Sequence, residues 1–467
     1  MDADEALAIV DTVFHPEHLN AVQELVLRQC WVGWTYQEIA ENFDYDADYI
    51  RGVGSRLWQK LSDALGEKIT KSNLQPILRQ QQYRKNRDTG APTSGNTAIG
   101  QSSKQSNPKL KNQNQRLVEV ELPGGQVPLG SKFYVERPPL ESLCYAAVLE
   151  PSALIRIKAP RRMGKTSLMA RTLAHAREQG LLTIALNFQL ADATVFTDLR
   201  RFLQWFCVAV GKGLNLPNQL PQLWDDVFSS NYNATDYFEN YLLKETSSPV
   251  ILALDAVDIV FNYPKIATDF FGLLRVWYEK ARENDSVGQT WQKLRLIVIY
   301  STEVYIPLHT NQSPFNVGLL IAVPELTARQ VQALAQWHGL HWSDQVGQNN
   351  TALLMQCVGG NPYLIRVALY YLSQHGLTIE QILGTATTEY GIYTEHLKRQ
   401  WQTLQRQPDL LTSYRHIITA SSAVEVNFVH ALKLQSMGLA KGSPAQMVPS
   451  CNLYWKFFGD YFILKDM

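Results

Sequence analysis

Nine consecutive residues, Ala159-Pro160-Arg161-Arg162-Met163-Gly164-Lys165-Thr166-Ser167, combine a bend, a lysine and two hydroxyls. They follow an apolar run, Leu154-Ile155-Arg156-Ile157, and open a helix-like segment from Ser167 to Leu173. A loop that joins a buried strand to a helix aims main-chain N–H groups, and the positive end of the helix dipole, at an anion. Gly164 lets the backbone approach phosphate oxygens. Lys165 is placed to reach the β- and γ-phosphates, and the Thr166 hydroxyl to hold Mg²⁺. Pro160, Met163 and Ser167 complete the cradle, while Arg161 and Arg162 are candidates either to face phosphate or to pair with surface acids. The pattern predicts binding of a nucleoside triphosphate. Ala159 stands where the first glycine is usual, and alanine serves there only if its φ is negative.

A second chemical element, Val250-Ile251-Leu252-Ala253-Leu254-Asp255-Ala256-Val257-Asp258, is an apolar run that ends in acid. Asp255 is placed to hold Mg²⁺ through water, as the acid strand of a P-loop ATPase does. Ala256 occupies the position where a glutamate usually orients the attacking water, and alanine accepts neither a proton nor a hydrogen bond. Slow or absent hydrolysis with binding retained is therefore expected. Asp258 is a candidate substitute if the strand runs on through it, or a helix cap if the chain turns. A third element, Leu296 to Glu303, places Ser301 or Thr302 as a γ-phosphate sensor and Glu303 as another candidate water-orienting carboxylate, or as a partner for Lys293 or Arg295. A fourth, Val358-Gly359-Gly360-Asn361-Pro362-Tyr363-Leu364, has a proline pre-set for a helix start.

Apolar strand candidates at Thr183–Phe188, Val250–Leu254 and Leu294–Tyr300 alternate with helical segments at Thr197–Gly211 and Ile266–Arg282. That alternation predicts a parallel, three-layer α/β sheet with the phosphate loop at the carboxyl ends of its strands. Ahead of it, residues 81–118 are dominated by Gly, Ser, Asn, Gln and Lys, with seven Lys/Arg against one Asp between Gln81 and Arg116. Such a stretch buries almost nothing and reads as a basic tether. Before the tether, Asn20–Gln29 has helical periodicity, and Thr35-Tyr36-Gln37-Glu38 is a capping box. A turn at Phe43–Asp46 then leads to a helix from Ala47 to Leu65. This is a helix-turn-helix signature. Arg51, Arg56 and Lys60 suit a DNA backbone. However, residues 1–80 hold seven Lys/Arg against thirteen Asp/Glu, a balance that opposes phosphate. DNA binding and protein docking stay open as alternatives.

The 467 residues carry no net charge, so global electrostatics indicate no polyanionic partner. Five scattered cysteines suit reduced thiols rather than a disulfide framework. The acidic first residues, Met1-Asp2-Ala3-Asp4-Glu5, and the short apolar runs predict a cytoplasmic protein with neither a secretory signal nor a membrane span.

Taken in order, the segments Phe133-Tyr134-Val135-Glu136-Arg137-Pro138, Ala159–Ser167, Leu254–Asp258, Ser301–Leu308, Asn311–Gly318 and the Gly-Gly-Asn-Pro loop resemble the STAND branch of AAA-like ATPases, and within it the bacterial AAA-like domain family. The resemblance covers about residues 130–465. It implies an α/β three-layer P-loop NTPase fold at residues 119–325, a helical subdomain with a Gly-x-Pro loop at 326–377 and a winged helix at 378–467. The winged helix would have helices near Gln381–Leu383, Thr394–Gln405, Tyr414–Ser421 and Asn427–Met437, and a wing from Gly438 through Asn452-Leu453-Tyr454. It further implies that Tyr134, Val135 and Arg137 flank an adenine, that Pro362 touches the nucleotide and reports its state to the C-terminal part, and that the winged helix packs on the nucleotide site rather than on DNA, with ATP or ADP and Mg²⁺ as cofactors. The segment 1–80 is similar to helix-turn-helix modules of bacterial conflict and signalling systems, where such modules recruit protein components. Three functions follow. The first is an ATP-operated STAND-type switch, acting by nucleotide-dependent conformational change or assembly with weak or slow hydrolysis, that recruits a partner through residues 1–80. The second is a DNA-binding regulator whose homo-oligomerisation is nucleotide-dependent. The third is a scaffold degenerate at Ala159 and Ala256.

Overall fold

The computed structural model describes residues 21–31, 34–43, 45–65, 121–301 and 313–464, together with positions 7, 10, 19, 69, 70 and 74. The chain divides into two compact units, residues 1–119 and 120–467.

In the first unit, helix α1 is Ala21–Trp31, α2 Tyr36–Phe43 and α3 Ala47–Leu65. The capping box starts α2 as expected. The Thr35 main-chain N–H donates to Glu38 Oε2 at 2.7 Å, and the Glu38 N–H donates back to Thr35 Oγ1 at 3.2 Å. Asp46 caps α3 by accepting from the Tyr49 N–H at 2.9 Å. Ile50, Val53, Gly54, Leu57, Trp58 and Leu61 form the buried stripe of α3. Trp58 Nε1 donates to the Tyr36 hydroxyl at 2.7 Å, and the Tyr36 ring lies where a side chain at position 54 would sit.

The second unit is built on five parallel strands: β1 Leu154–Lys158, β2 Leu182–Asn187, β3 Val250–Asp255, β4 Leu294–Tyr300 and β5 Leu319–Ala322. Their order across the sheet is β2-β3-β4-β1-β5. β4 is buried along its whole length and separates the phosphate-loop strand β1 from the acid strand β3. Side-chain alternation divides the core into two layers. Val250, Leu252, Leu254, Leu296, Val298 and Tyr300 face an aromatic layer filled by α6 (Leu199–Gly213) and α8 (Pro264–Lys280). Ile251, Ala253, Ile297, Ile299, Ile155 and Ile157 face α4 (Leu140–Leu149) and α5 (Lys165–Glu178). Helix α7, Ser230–Asp236, runs on as a π-turn over Tyr237–Leu242, and α9 is Ser286–Trp291.

After the sheet come α10 Ala328–Trp337, α11 Gln345–Val358, α12 Pro362–His375, α13 Ile379–Thr385, α14 Thr394–Gln405, α15 Pro408–Thr419 and α16 Phe428–Ser436. A two-stranded antiparallel ribbon follows, β6 Ala440–Lys441 against β7 Val448–Pro449, and then α17 Asn452–Leu464.

Several expectations need correction. Strand β5 was not anticipated from the sequence. Asn452-Leu453-Tyr454 opens a helix rather than closing a wing, because Tyr454, Phe458 and Phe462 recur every four residues and are all buried. The helix expected at Tyr414 begins at Pro408, where the ring of proline suits a first turn. The acid strand stops at Asp255: Ala256 is left-handed, with φ 57°, and Val257–Asn262 is a 3₁₀ turn. Asp258 therefore does not continue the strand.

Candidate functional site

The backbone of the phosphate loop has the conformation its residues permit. Gly164 is left-handed, with φ 89°, and caps α5. Arg162 is also left-handed, with φ 65°, whereas Ala159 is not among the positive-φ residues, so alanine meets its condition there. Lys165 Nζ lies 2.8 Å from Ala159 O, 3.0 Å from Pro160 O and 2.9 Å from Ser301 Oγ, and donates to them. Burial lowers its pKa to about 8, although the carboxylates of Asp258 and Asp255 pull the other way.

The two metal-site candidates meet. Thr166 Oγ1 donates to Asp255 Oδ2 at 3.0 Å, and Asp255 Oδ1 accepts the Ala256 N–H at 2.8 Å. Asp258 accepts the Ser301 N–H at 2.7 Å, which ties the 3₁₀ turn to the end of β4. Burial pushes the Asp258 carboxyl above its ordinary pKa, while the Ser301 N–H and the Lys165 ammonium oppose that. Asp258 thus positions the Ser301 main chain. Thr302 and Glu303 lie outside the described residues. Lys293 donates to the carbonyls of Leu243 and Thr246, and Arg295 to those of Glu150 and Leu149.

Beside the loop is a narrow cleft lined in part by Phe133, Tyr134, Val135, Arg137, Gly164 and Pro362. One wall is formed by a strap, residues 121–139, that is sewn to α5: the Val127 N–H donates to Ser167 Oγ at 2.9 Å, and Arg171 donates to Val127 O and Pro128 O. Ser167 thereby serves the strap. Met163 is buried, and its carbonyl accepts from Arg137 Nη1 at 2.8 Å. Glu141 holds the strap from the other side, accepting the Tyr134 hydroxyl at 2.7 Å and the Arg137 N–H at 3.0 Å. Arg366 also lines the cleft. Sequence reasoning missed Glu141 and Arg366. Glu141 had a legible signal, an acid in the first turn of the helix that follows the strap.

The Gly-Gly-Asn-Pro loop shapes the opposite wall. Asn361 Oδ1 caps α12 by accepting from the Tyr363 and Leu364 N–H groups, and Pro362 occupies its first turn. Gly360 approaches the chain so closely that a Cβ would stand 2.5 Å from Leu326 O.

The outer half of the phosphate loop touches the C-terminal segment. The Arg161 N–H donates to Ser436 O at 2.9 Å, Pro160 faces Gly438, and the Arg162 guanidinium lies 4.0 Å from the centre of the Tyr363 ring. The two arginines diverge. The Arg161 charge is felt by Lys165 and Asp258, whereas that of Arg162 is felt by His396 and Tyr454.

Residues 122–460 match the family model described as "AAA-like domain". The chain belongs to the AAA-like domain family. Residues 1–81 match a second model, the N-terminal helix-turn-helix of vWA-MoxR associated proteins. Among solved structures, the AAA-like chain is similar to a Walker-type ATPase of Pyrococcus abyssi, at 13% identity and TM-score 0.50, over 70% of this chain and 96% of that one. It also aligns with the Aeropyrum pernix ORC1 protein in complex with DNA (14% identity, TM-score 0.34, 73% of this chain and 97% of that one). A further match is Drosophila ORC bound to DNA, at 13% identity and TM-score 0.37, covering 77% and 85%. No curated protein matches the AAA-like chain in sequence. At such identities the likeness concerns the fold, which is that of a P-loop ATPase.

Proposed function

We propose that the protein is a nucleotide-operated switch of the STAND type that binds ATP or ADP with Mg²⁺ and hydrolyses ATP slowly or not at all. The observation that carries this is the engagement of the phosphate loop by the C-terminal segment, through the Arg161–Ser436 hydrogen bond and the Arg162–Tyr363 contact. A phosphate group arriving at Lys165 must reorganise a loop whose outer half is held by distant chain. Occupancy of the site therefore biases the arrangement of the helices from α12 to α17. We read residues 378–467 as a winged helix that contacts this site through Ser436 and Gly438.

The residues present fit the cofactor. Lys165 would leave the Ala159 and Pro160 carbonyls for phosphate oxygens, with Ser301 beside it. Thr166 and Asp255 would hold Mg²⁺, whose remaining positions phosphate and water would fill. Bound Mg²⁺ supplies charge neutralisation at the phosphates. The cleft beside Tyr134, Val135, Arg137 and Pro362 would take the base. Ala256 leaves the water-orienting position without an acceptor, and Asp258 is committed to Ser301. Titration of the purified chain with MgATP and MgADP, beside Lys165→Ala, tests this: binding by the wild type and not the variant is expected, and equal behaviour of the two would refute it.

The N-terminal helix-turn-helix would recruit a partner protein and raise its local concentration. DNA is the alternative, favoured by the exposed face of α3, which carries Ser55, Arg56 and Gln59. Low-salt DNA titration of the full chain against Arg51→Ala/Arg56→Ala separates the two. Binding that is lost in the double variant supports DNA, and absence of binding supports protein docking. Nucleotide-dependent homo-oligomerisation, followed by light scattering with and without MgATP, fits both readings. No helix among the described residues is long and apolar enough to cross a membrane.

A further inference from the structure

The Arg162 guanidinium is a cation at the mouth of a phosphate loop with no acidic partner among the described residues; its contact is the face of Tyr363. Tyr363 stands in the first turn of α12. Its ring lies 5.7 Å from that of His396 on α14, and His396 Nε2 is 2.7 Å from the hydroxyl of Tyr454 on α17. His396 and Tyr454 are both buried. Behind Tyr363, the Tyr393 hydroxyl donates to Leu364 O at 3.1 Å. A continuous chain of contacts therefore runs from the phosphate loop through α12 to α14 and α17. Its first link is a cation–π contact, which is weak beside a charge-assisted bond to phosphate.

We propose that Arg162 is the residue that transmits nucleotide occupancy, leaving its seat on Tyr363 for a phosphate oxygen of the bound nucleotide and so releasing the Tyr363–His396–Tyr454 chain. This rests on nucleotide binding at Lys165, proposed above. Tyr363 then competes with the nucleotide for the guanidinium, so the two ends of the contact have opposite effects on affinity. Truncating Arg162 removes a phosphate ligand, whereas truncating Tyr363 removes the competitor.

The test is calorimetric titration with MgATP of the full chain and of Arg162→Gln, Tyr363→Leu and Tyr363→Phe, with hydrogen exchange of residues 394–405 and 452–464 measured with and without MgATP. Arg162→Gln should bind about tenfold more weakly. Tyr363→Leu should bind roughly two- to fivefold more tightly, and Tyr363→Phe, which keeps the ring, should match the wild type. In the wild type MgATP should speed exchange in both segments, and this response should vanish in Arg162→Gln and Tyr363→Leu. Unchanged affinity in Arg162→Gln, or weakening in Tyr363→Leu at an unaltered melting temperature, would overturn the proposal. Failure of the wild type to bind MgATP would remove the nucleotide site itself, a result distinguishable from both.

Discussion

Lys165 has three oxygen acceptors within 3.0 Å before any phosphate arrives. Its partly buried ammonium is nevertheless easier to deprotonate than a free lysine, with a pKa of about 8. The sign for binding follows directly. A phosphate needs the charged form, so the free protein loses binding-competent lysine as pH rises through 8. Apparent MgATP affinity should be flat between pH 6.8 and 7.5 and about tenfold weaker by pH 9. The slope should be absent from the residual binding of Lys165→Arg. A flat profile to pH 9 in the wild type would show that Lys165 does not titrate there. Ala256 offers a second prediction. Its left-handed φ of 57° costs an alanine about 1 kcal/mol relative to glycine. Ala256→Gly should therefore raise unfolding stability by about 1 kcal/mol in denaturant titration, without raising turnover, because glycine supplies no acceptor. Position 256 was recognisable in sequence as the missing glutamate, but its strain was not, since φ is set by where the strand ends.

Elements set by local chemistry were legible, and those set by packing were not. The capping box at Thr35 and Glu38, the full span of α3 and the strand β4 followed from periodicity and cap residues alone. β5 has four residues, two of them exposed, and exists because β1 offers an edge with which to pair. Helix α17 was obscured because its aromatic stripe begins beside the ribbon. Gly54 shows how tight an element contact can be: a Cβ there would stand 2.7 Å from the Tyr36 ring. Gly54→Ala should shift that ring, weaken the Trp58–Tyr36 bond and destabilise the helical unit by about 1–3 kcal/mol. Trp fluorescence during denaturant unfolding would report it, and an unchanged midpoint would mean that Tyr36 moves freely. A parallel case at the site is Gly360, where Gly360→Val would push Leu326 and Glu325 away and open the wall that carries Pro362.

At the scale of the whole molecule, three of the four chemical segments meet through the Lys165–Ser301 and Thr166–Asp255 bonds, and Pro362 of the fourth lines the cleft beside Gly164. The family resemblance implies that the C-terminal segment packs on the nucleotide site, but no motif singles out Ser436 and Gly438, more than two hundred residues from the loop, as the residues that touch it. In the proposed switch, that contact is what couples the site to the helices beyond it. Ser450, whose hydroxyl donates to Gly438 O, lies on the far side of this contact. Ser450→Ala should loosen the contact and make helix α16 exchange faster without nucleotide, while melting of the sheet core stays unchanged.

Nucleotide binding at Lys165 without efficient turnover is tested most directly by MgATP calorimetry on the wild type and Lys165→Ala, with phosphate release followed in the same samples. Stoichiometric binding that Lys165→Ala abolishes, with phosphate release far below one turnover per second, is the expected result. Turnover at the rate of an active ATPase would contradict the role given to Ala256, and absence of binding in the wild type would contradict the switch.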